Sequence, residues 1–175
     1  MLRGKPKKLD AEALWGYALR ALGQRAHSAS ELRQKLSRRA ESAGDVNIAM
    51  EKLRDYGFAD DQKFSEAFAA SRLQNQGFGR FRVLRELQSK RVASTVAEDA
   101  IEKTFAGMEE QDLISRFLHK KYRGKDLTEF FKEEKNLASA YRRLRTAGFS
   151  SSCSLSVLRR YRQETPDWNE VEENE

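Results

Sequence analysis

Between Leu14 and Leu158 the apolar residues return at three- and four-residue intervals, the period of a helix face. Alanine and leucine dominate, while valine, isoleucine and threonine are sparse. The only prolines are Pro6 and Pro166, so the stretch between them lacks the strongest helix breaker. The pattern predicts an all-α chain. A first helix runs from a cap at Asp10 to about Gln24, with Leu14, Ala18 and Leu22 on one face. Ser28 and Glu31 have the spacing of a capping box and open a second helix carrying Leu32 and Leu36. Residues 40–45 read as a loop, and a third helix carries Val46, Ala49, Met50 and Leu53.

That third helix stops at Leu53-Arg54-Asp55-Tyr56-Gly57-Phe58, where glycine suits a left-handed helix end. Asp60 is placed to cap the next helix, and Asp61 adds favourable charge there. The same stop, Leu-Arg-x-x-Gly-Phe, returns at Leu144–Phe149. Between the two stops, Phe64, Ala67, Phe68 and Ser71 form one inward face, ended by Gly77-Phe78-Gly79. Phe81, Leu84 and Leu87 form another, and Ser94 is expected to cap a helix with Ala97, Ala100 and Ile101 inward. Leu113 and Phe117 open a further helix near Glu109. Residues 123–136 are harder to assign, although Gly124 marks a turn and Asp126 to Glu129 resembles a capping box. Leu137, Tyr141 and Leu144 face inward next. Ser151 or Ser152 is expected to cap a last helix with Leu155 and Leu158 inward.

The register repeats. Leu36 to Met50, Leu87 to Ile101 and Leu144 to Leu158 are each 14 residues apart. The expected architecture is therefore three tandem three-helix, helix-turn-helix-like repeats over 10–58, 59–107 and 108–163, forming an elongated, curved array. A basic arm (1–9) precedes them, and an acidic tail expected to be disordered (164–175) follows.

Charge changes the picture more than composition does. The 175 residues carry +6, but the tail holds six acidic residues and no Lys or Arg, so residues 1–163 carry +12. A basic body suits contact with nucleic acid or its complexes. The single cysteine, Cys153, forms no internal disulfide, which points to a reducing cytoplasm. No apolar run follows the basic start, and none reaches membrane-spanning length.

Catalytic constellations are missing. His27, His119 and Cys153 are too scattered for a metal set. Gly77-Phe78-Gly79 lacks the third glycine of a dinucleotide loop, since Arg stands at position 82. Asp60-Asp61 is more economically a helix start than a carboxylate pair. No enzyme activity and no cofactor are expected.

Three basic clusters lie beside aromatic residues instead. Arg80, Arg82 and Arg85, followed by Lys90 and Arg91, form the first; Arg82 and Arg85 share a helix face while Phe81 and Leu84 turn inward. Lys120, Lys121, Arg123 and Lys125 form the second. Arg142, Arg143 and Arg145 with Arg159, Arg160 and Arg162 form the third. Guanidinium groups bind phosphates by forked hydrogen bonds and by counterion release.

Three passages resemble the RecX family of bacterial regulators of the RecA recombinase. They are Ala18-Leu19 with Arg25, Ser28, Glu31-Leu32 and Leu36; Gly57-Phe58-Ala59-Asp60-Asp61 with Phe64, Arg72, Gly77, Gly79, Leu84 and Glu86-Leu87; and Leu144 with Gly148-Phe149-Ser150. The chain departs from the family where Arg91 stands in place of a glycine, and Ser37-Arg38-Arg39-Ala40 likewise lacks one. The resemblance implies tandem three-helix repeats that bind RecA filaments on DNA, inhibiting or capping them, and a monomer is expected. It also adds Arg72 to the contact residues. Sequence-independent binding of single- and double-stranded DNA is expected. The competing reading is a helix-turn-helix transcription regulator, which usually dimerises; no spare long helix or heptad run is present to make a dimer.

Overall fold

A computed structural model describes residues 8–163 and is helical throughout, with no strand among the described residues. The acidic tail and all but the last two residues of the basic arm lie outside the described residues. No helix among those described is long and apolar enough to cross a membrane. The chain divides into two compact units: residues up to Ala70 with Leu84–Thr104, and Ser71–Val83 with Phe105 onward.

The first unit begins with α1 (Ala11–Gln24), α2 (Ala29–Ser37) and α3 (Ala43–Asp55). Leu14, Ala18, Leu32, Leu36, Met50 and Leu53 are fully buried among them, as the spacing predicts. Asp10 caps α1 by accepting from the Ala13 N–H at 2.9 Å. Ser28 and Glu31 form the capping box of α2, with bonds of 3.1 and 3.3 Å. The expected loop over 40–45 is shorter, because Ser42 and Asp45 make a second capping box that starts α3 at Ala43. The chain before α1 pairs beside Ala40: the Leu9 N–H donates to the Arg39 carbonyl and the Glu41 N–H to the Leu9 carbonyl.

Most of α4 (Asp61–Ser71), α5 (Arg80–Ser89) and α6 (Ser94–Phe105) completes this unit. Asp60 caps α4, accepting from the Lys63 N–H at 3.0 Å. Asp61 does more than add charge, because it accepts from the Ala29 N–H at 2.8 Å and so secures the start of α2.

In the second unit a π-helical turn, Arg72–Gln76, ends at Gly77 with φ 68°. It is followed by the first turn of α5, then by α7 (Glu110–Lys121), α8 (Leu127–Phe130), α9 (Glu134–Ala147) and α10 (Ser151–Gln163). Ile114, Leu118, Phe131, Leu144, Phe149 and Leu158 fill its core. The uncertain stretch 123–136 holds α8, one helical turn capped by Asp126, which delivers Leu127 and Phe131 to that core.

All six residues of the 14-residue register are buried. Several faces are nevertheless rotated from their expected positions. Ala67 and Ser71 are exposed, while Ser65 and Ala69 go inward. Ile114 and Leu118 replace Leu113 and Phe117 at the centre, and the latter pair packs at the rim. Leu155 is exposed where Ser154 and Val157 are buried. Phe81 is 51% exposed and Val83 is buried in its stead. The apolar spacing names the residues able to face inward, while the rotation of each helix about its axis, set by what packs across from it, decides which of them do. For α5 the rotation is set by its backbone: the Gly79 N–H donates to the Ala147 carbonyl and the Phe81 N–H to the Gly148 carbonyl. The cap of α10 is Ser150, which accepts from the Cys153 N–H, and α6 begins at Ser94 itself.

Candidate nucleic-acid interface

Within the second unit, the corner Gly77-Phe78-Gly79 lies against the end of α9. A Cβ at Gly79 would fall 2.5 Å from the Gly148 carbonyl oxygen, and one at Gly148 would fall 2.3 Å from the Arg82 nitrogen. Only two glycines allow these backbones to approach so closely. Beside this contact a cavity of about 440 Å³ opens. Phe78 and Phe117 are its aromatic walls, and Phe117 is braced edge-on against Phe149 at 5.6 Å.

Four cations line the cavity: Arg82, Lys120, Lys121 and Arg143, with no carboxylate among the lining residues. The Arg82 guanidinium sits 3.6 Å from the Phe78 ring centre, a cation–π contact, and donates to the Thr146 carbonyl at 3.3 Å. The Lys120 ammonium donates to the Asn75 carbonyl at 2.7 Å. Lys121 and Arg143 are exposed. With no acid in the wall to offset them, these charges make the hollow attractive to an anion.

The structure therefore draws together members of all three predicted clusters, while the remaining cations go elsewhere. Arg80 borders a smaller hollow of about 110 Å³ that also contains Glu110. Partial burial pushes the Glu110 carboxyl up, but hydrogen bonds from Ser150 outweigh it, and with help from the Arg80 charge they hold it below the ordinary range. Lys90 belongs to the first unit, where it pairs with Glu31 at 3.2 Å and lies 5.4 Å from the Phe68 ring centre. Arg85 and Arg91 are exposed in the same unit, and Arg91 holds a left-handed φ of 60°. Arg72 lies in the π-helical turn. Arg145 donates to the Phe149 carbonyl and closes the end of α9, and Arg160 donates to Gln111. Lys125 lies 3.9 Å from the Phe130 ring centre. Arg123, Arg142, Arg159 and Arg162 are exposed.

Sequence reasoning missed the aromatic walls. Phe117 reads as a core residue by period, and Phe78 as part of a turn. The available signal was Phe78 between two glycines, four residues before an arginine. Arg82, a predicted contact residue, also packs on Phe78, a contact the spacing did not indicate. Among the described residues no group of three or more His, Cys, Asp or Glu is placed to hold a metal.

Comparison with known proteins agrees with this architecture. The profile described as "RecX, second three-helix domain" matches residues 60–101. A regulatory protein RecX of Halorhodospira halophila is 38% identical over 92 residues, covering 53% of this chain and 56% of that one. The regulatory protein RecX of Vibrio vulnificus is 31% identical over 136 residues, covering 76% of this chain and 82% of that one. A crystal structure of RecX from Lactobacillus salivarius superimposes with a TM-score of 0.66 at 17% identity, covering 87% of this chain and 96% of that one, a likeness of fold. The chain spans little more than half the length of several curated relatives that it matches.

Proposed function

The chain belongs to the RecX family of regulatory proteins, and on that premise we propose that it binds RecA filaments on DNA and inhibits or caps them. Bound chain lowers RecA ATP hydrolysis, strand exchange and co-protease activity, and it works as a monomer in the cytoplasm without a cofactor. The helical repeats over 10–58, 59–107 and 108–163 are the proposed units of contact. The observation that carries the reading, beyond family, is the convergence of Arg82, Lys120, Lys121 and Arg143 on one hollow with no acidic residue in its wall. A filament on DNA presents phosphates and acidic protein surface, and a body of +12 is drawn to both.

The test is ATP hydrolysis by RecA assembled on single-stranded DNA. Added chain slows hydrolysis, and the effect weakens as salt rises over a range in which RecA alone is stable. Lys121→Glu with Arg143→Glu, two exposed positions, reduces inhibition strongly while helicity by circular dichroism stays unchanged. These positions are cleaner than Arg80, Arg82 and Arg85, because Arg82 packs on Phe78 and its loss disturbs the fold. Wild-type chain that leaves hydrolysis untouched at several-fold excess over filament removes the proposal.

A further inference from the structure

The cavity beside Phe78 is more than charge requires. Contact with phosphates alone needs a strip of cations on an open surface. Here the cations surround a hollow of about 440 Å³ with two phenylalanines in its wall. Hollows of roughly 300 Å³ and more hold small organic ligands. A ligand that uses all of this wall has a flat apolar part and an anionic part joined closely together.

We propose that the cavity takes one unpaired nucleotide of a single-stranded nucleic acid. Its base lies against Phe78, Phe117 and the Arg82 guanidinium, and its phosphate meets Lys121 and Arg143. Arg82 is already held over Phe78 at 3.6 Å and tied to the Thr146 carbonyl, so its position is set before a base arrives. Bases stack on aromatic rings and on arginine planes with little regard to their identity. Lys120 spends one of its three N–H groups on the Asn75 carbonyl, leaving the others for phosphate oxygens. A paired base in a duplex is stacked and must be extruded first, whereas a single strand offers its bases freely. An acidic protein segment would meet the cations but leave the two rings unused.

The proposal rests on the preceding reading in taking DNA as the ligand, and it is tested on the full chain alone, without RecA, so that the two fail separately. Fluorescence anisotropy compares a labelled oligothymidylate of about twelve nucleotides with an abasic phosphodiester of equal length and charge. The base-bearing strand binds about tenfold more tightly, the gain expected of one stacked base. Lys121→Glu with Arg143→Glu weakens both ligands. Arg82→Lys keeps the charge but loses the plane that packs on Phe78, so it narrows the gap between them, measured at a temperature where circular dichroism shows the variant folded. Equal affinity of wild-type chain for the two strands overturns the proposal, leaving surface electrostatics alone. Free thymidine monophosphate has the same base and phosphate; if it displaces the strand at equal nucleotide concentration, a strand is not the occupant and the proposal also fails. Base-dependent binding by a chain that leaves RecA hydrolysis unchanged keeps this site and removes only the filament reading.

Discussion

Gly57 and Gly148 occupy the same place in two copies of one motif. After Gly57, the Phe58 N–H donates to the Leu53 carbonyl at 2.8 Å; after Gly148, the Phe149 N–H donates to the Leu144 carbonyl at 3.2 Å. Both glycines have positive φ, 71° and 90°. Their surroundings differ. A Cβ at Gly57 meets nothing within 4 Å, whereas one at Gly148 collides with the backbone of Arg82. Gly57→Ala is therefore expected to cost about 1 kcal/mol, the cost of a left-handed L-residue. Gly148→Val adds a backbone clash and should cost roughly 3 kcal/mol or more. Urea unfolding midpoints check both, and equal losses would contradict the close approach. Arg91 is the converse case: it holds φ 60° without being glycine. Arg91→Gly should raise stability by about 1 kcal/mol by the same rule, read as a higher midpoint.

At the scale of an element, the start of α2 gathers more interactions than its length suggests. Ser28 closes the capping box and its hydroxyl donates to the Lys90 carbonyl at 2.7 Å, and Asp61 takes the Ala29 N–H. Glu31 sits between Arg25 at 3.1 Å and Lys90 at 3.2 Å. Partial burial pushes its carboxyl up, but hydrogen bonds from Arg25 and Lys90 outweigh burial and hold it at about 2, against an ordinary 4.5. A depressed carboxyl stabilises the fold fully above its ordinary value, and that contribution is lost as pH falls toward the folded value. Glu31→Gln should thus cost on the order of 2 kcal/mol at neutral pH. The difference from wild type should shrink as pH falls from 4.5 toward 2. Urea unfolding of both proteins across that range checks the window, and a constant difference would show that Glu31 acts through packing rather than charge.

For the molecule as a whole, the uneven charge makes a prediction that needs no contact map. Removing residues 164–175 takes the net charge from +6 to +12. The shortened chain should bind single-stranded DNA more tightly at low salt, because six negative charges no longer oppose the phosphates. Titration of a labelled strand at two salt concentrations measures the gain, which should fade at the higher one. A shortened chain that binds no better would mean the tail does not oppose the basic body.

The all-helical class, the 14-residue register, the caps at Asp10, Ser28 and Asp60 and the glycine stops at Gly57 and Gly148 were legible in the residues themselves. Each is a local matter: a period of 3.6, a side chain accepting from N–H groups two or three residues on, a backbone angle that glycine tolerates. Which of several nearby apolar residues goes inward was not local. Val83 displaced Phe81, and Ile114 displaced Leu113, because helix rotation is set by what packs across from it. The basic residues could be counted along the chain but not sorted. Lys90 was tied up by Glu31, and Arg145 by the Phe149 carbonyl, partners that depend on folded backbone or distant side chains. The hollow lined by Phe78, Arg82, Phe117 and Arg143 exists only because the Gly79 and Gly148 backbones touch, bringing residues more than sixty positions apart to one wall.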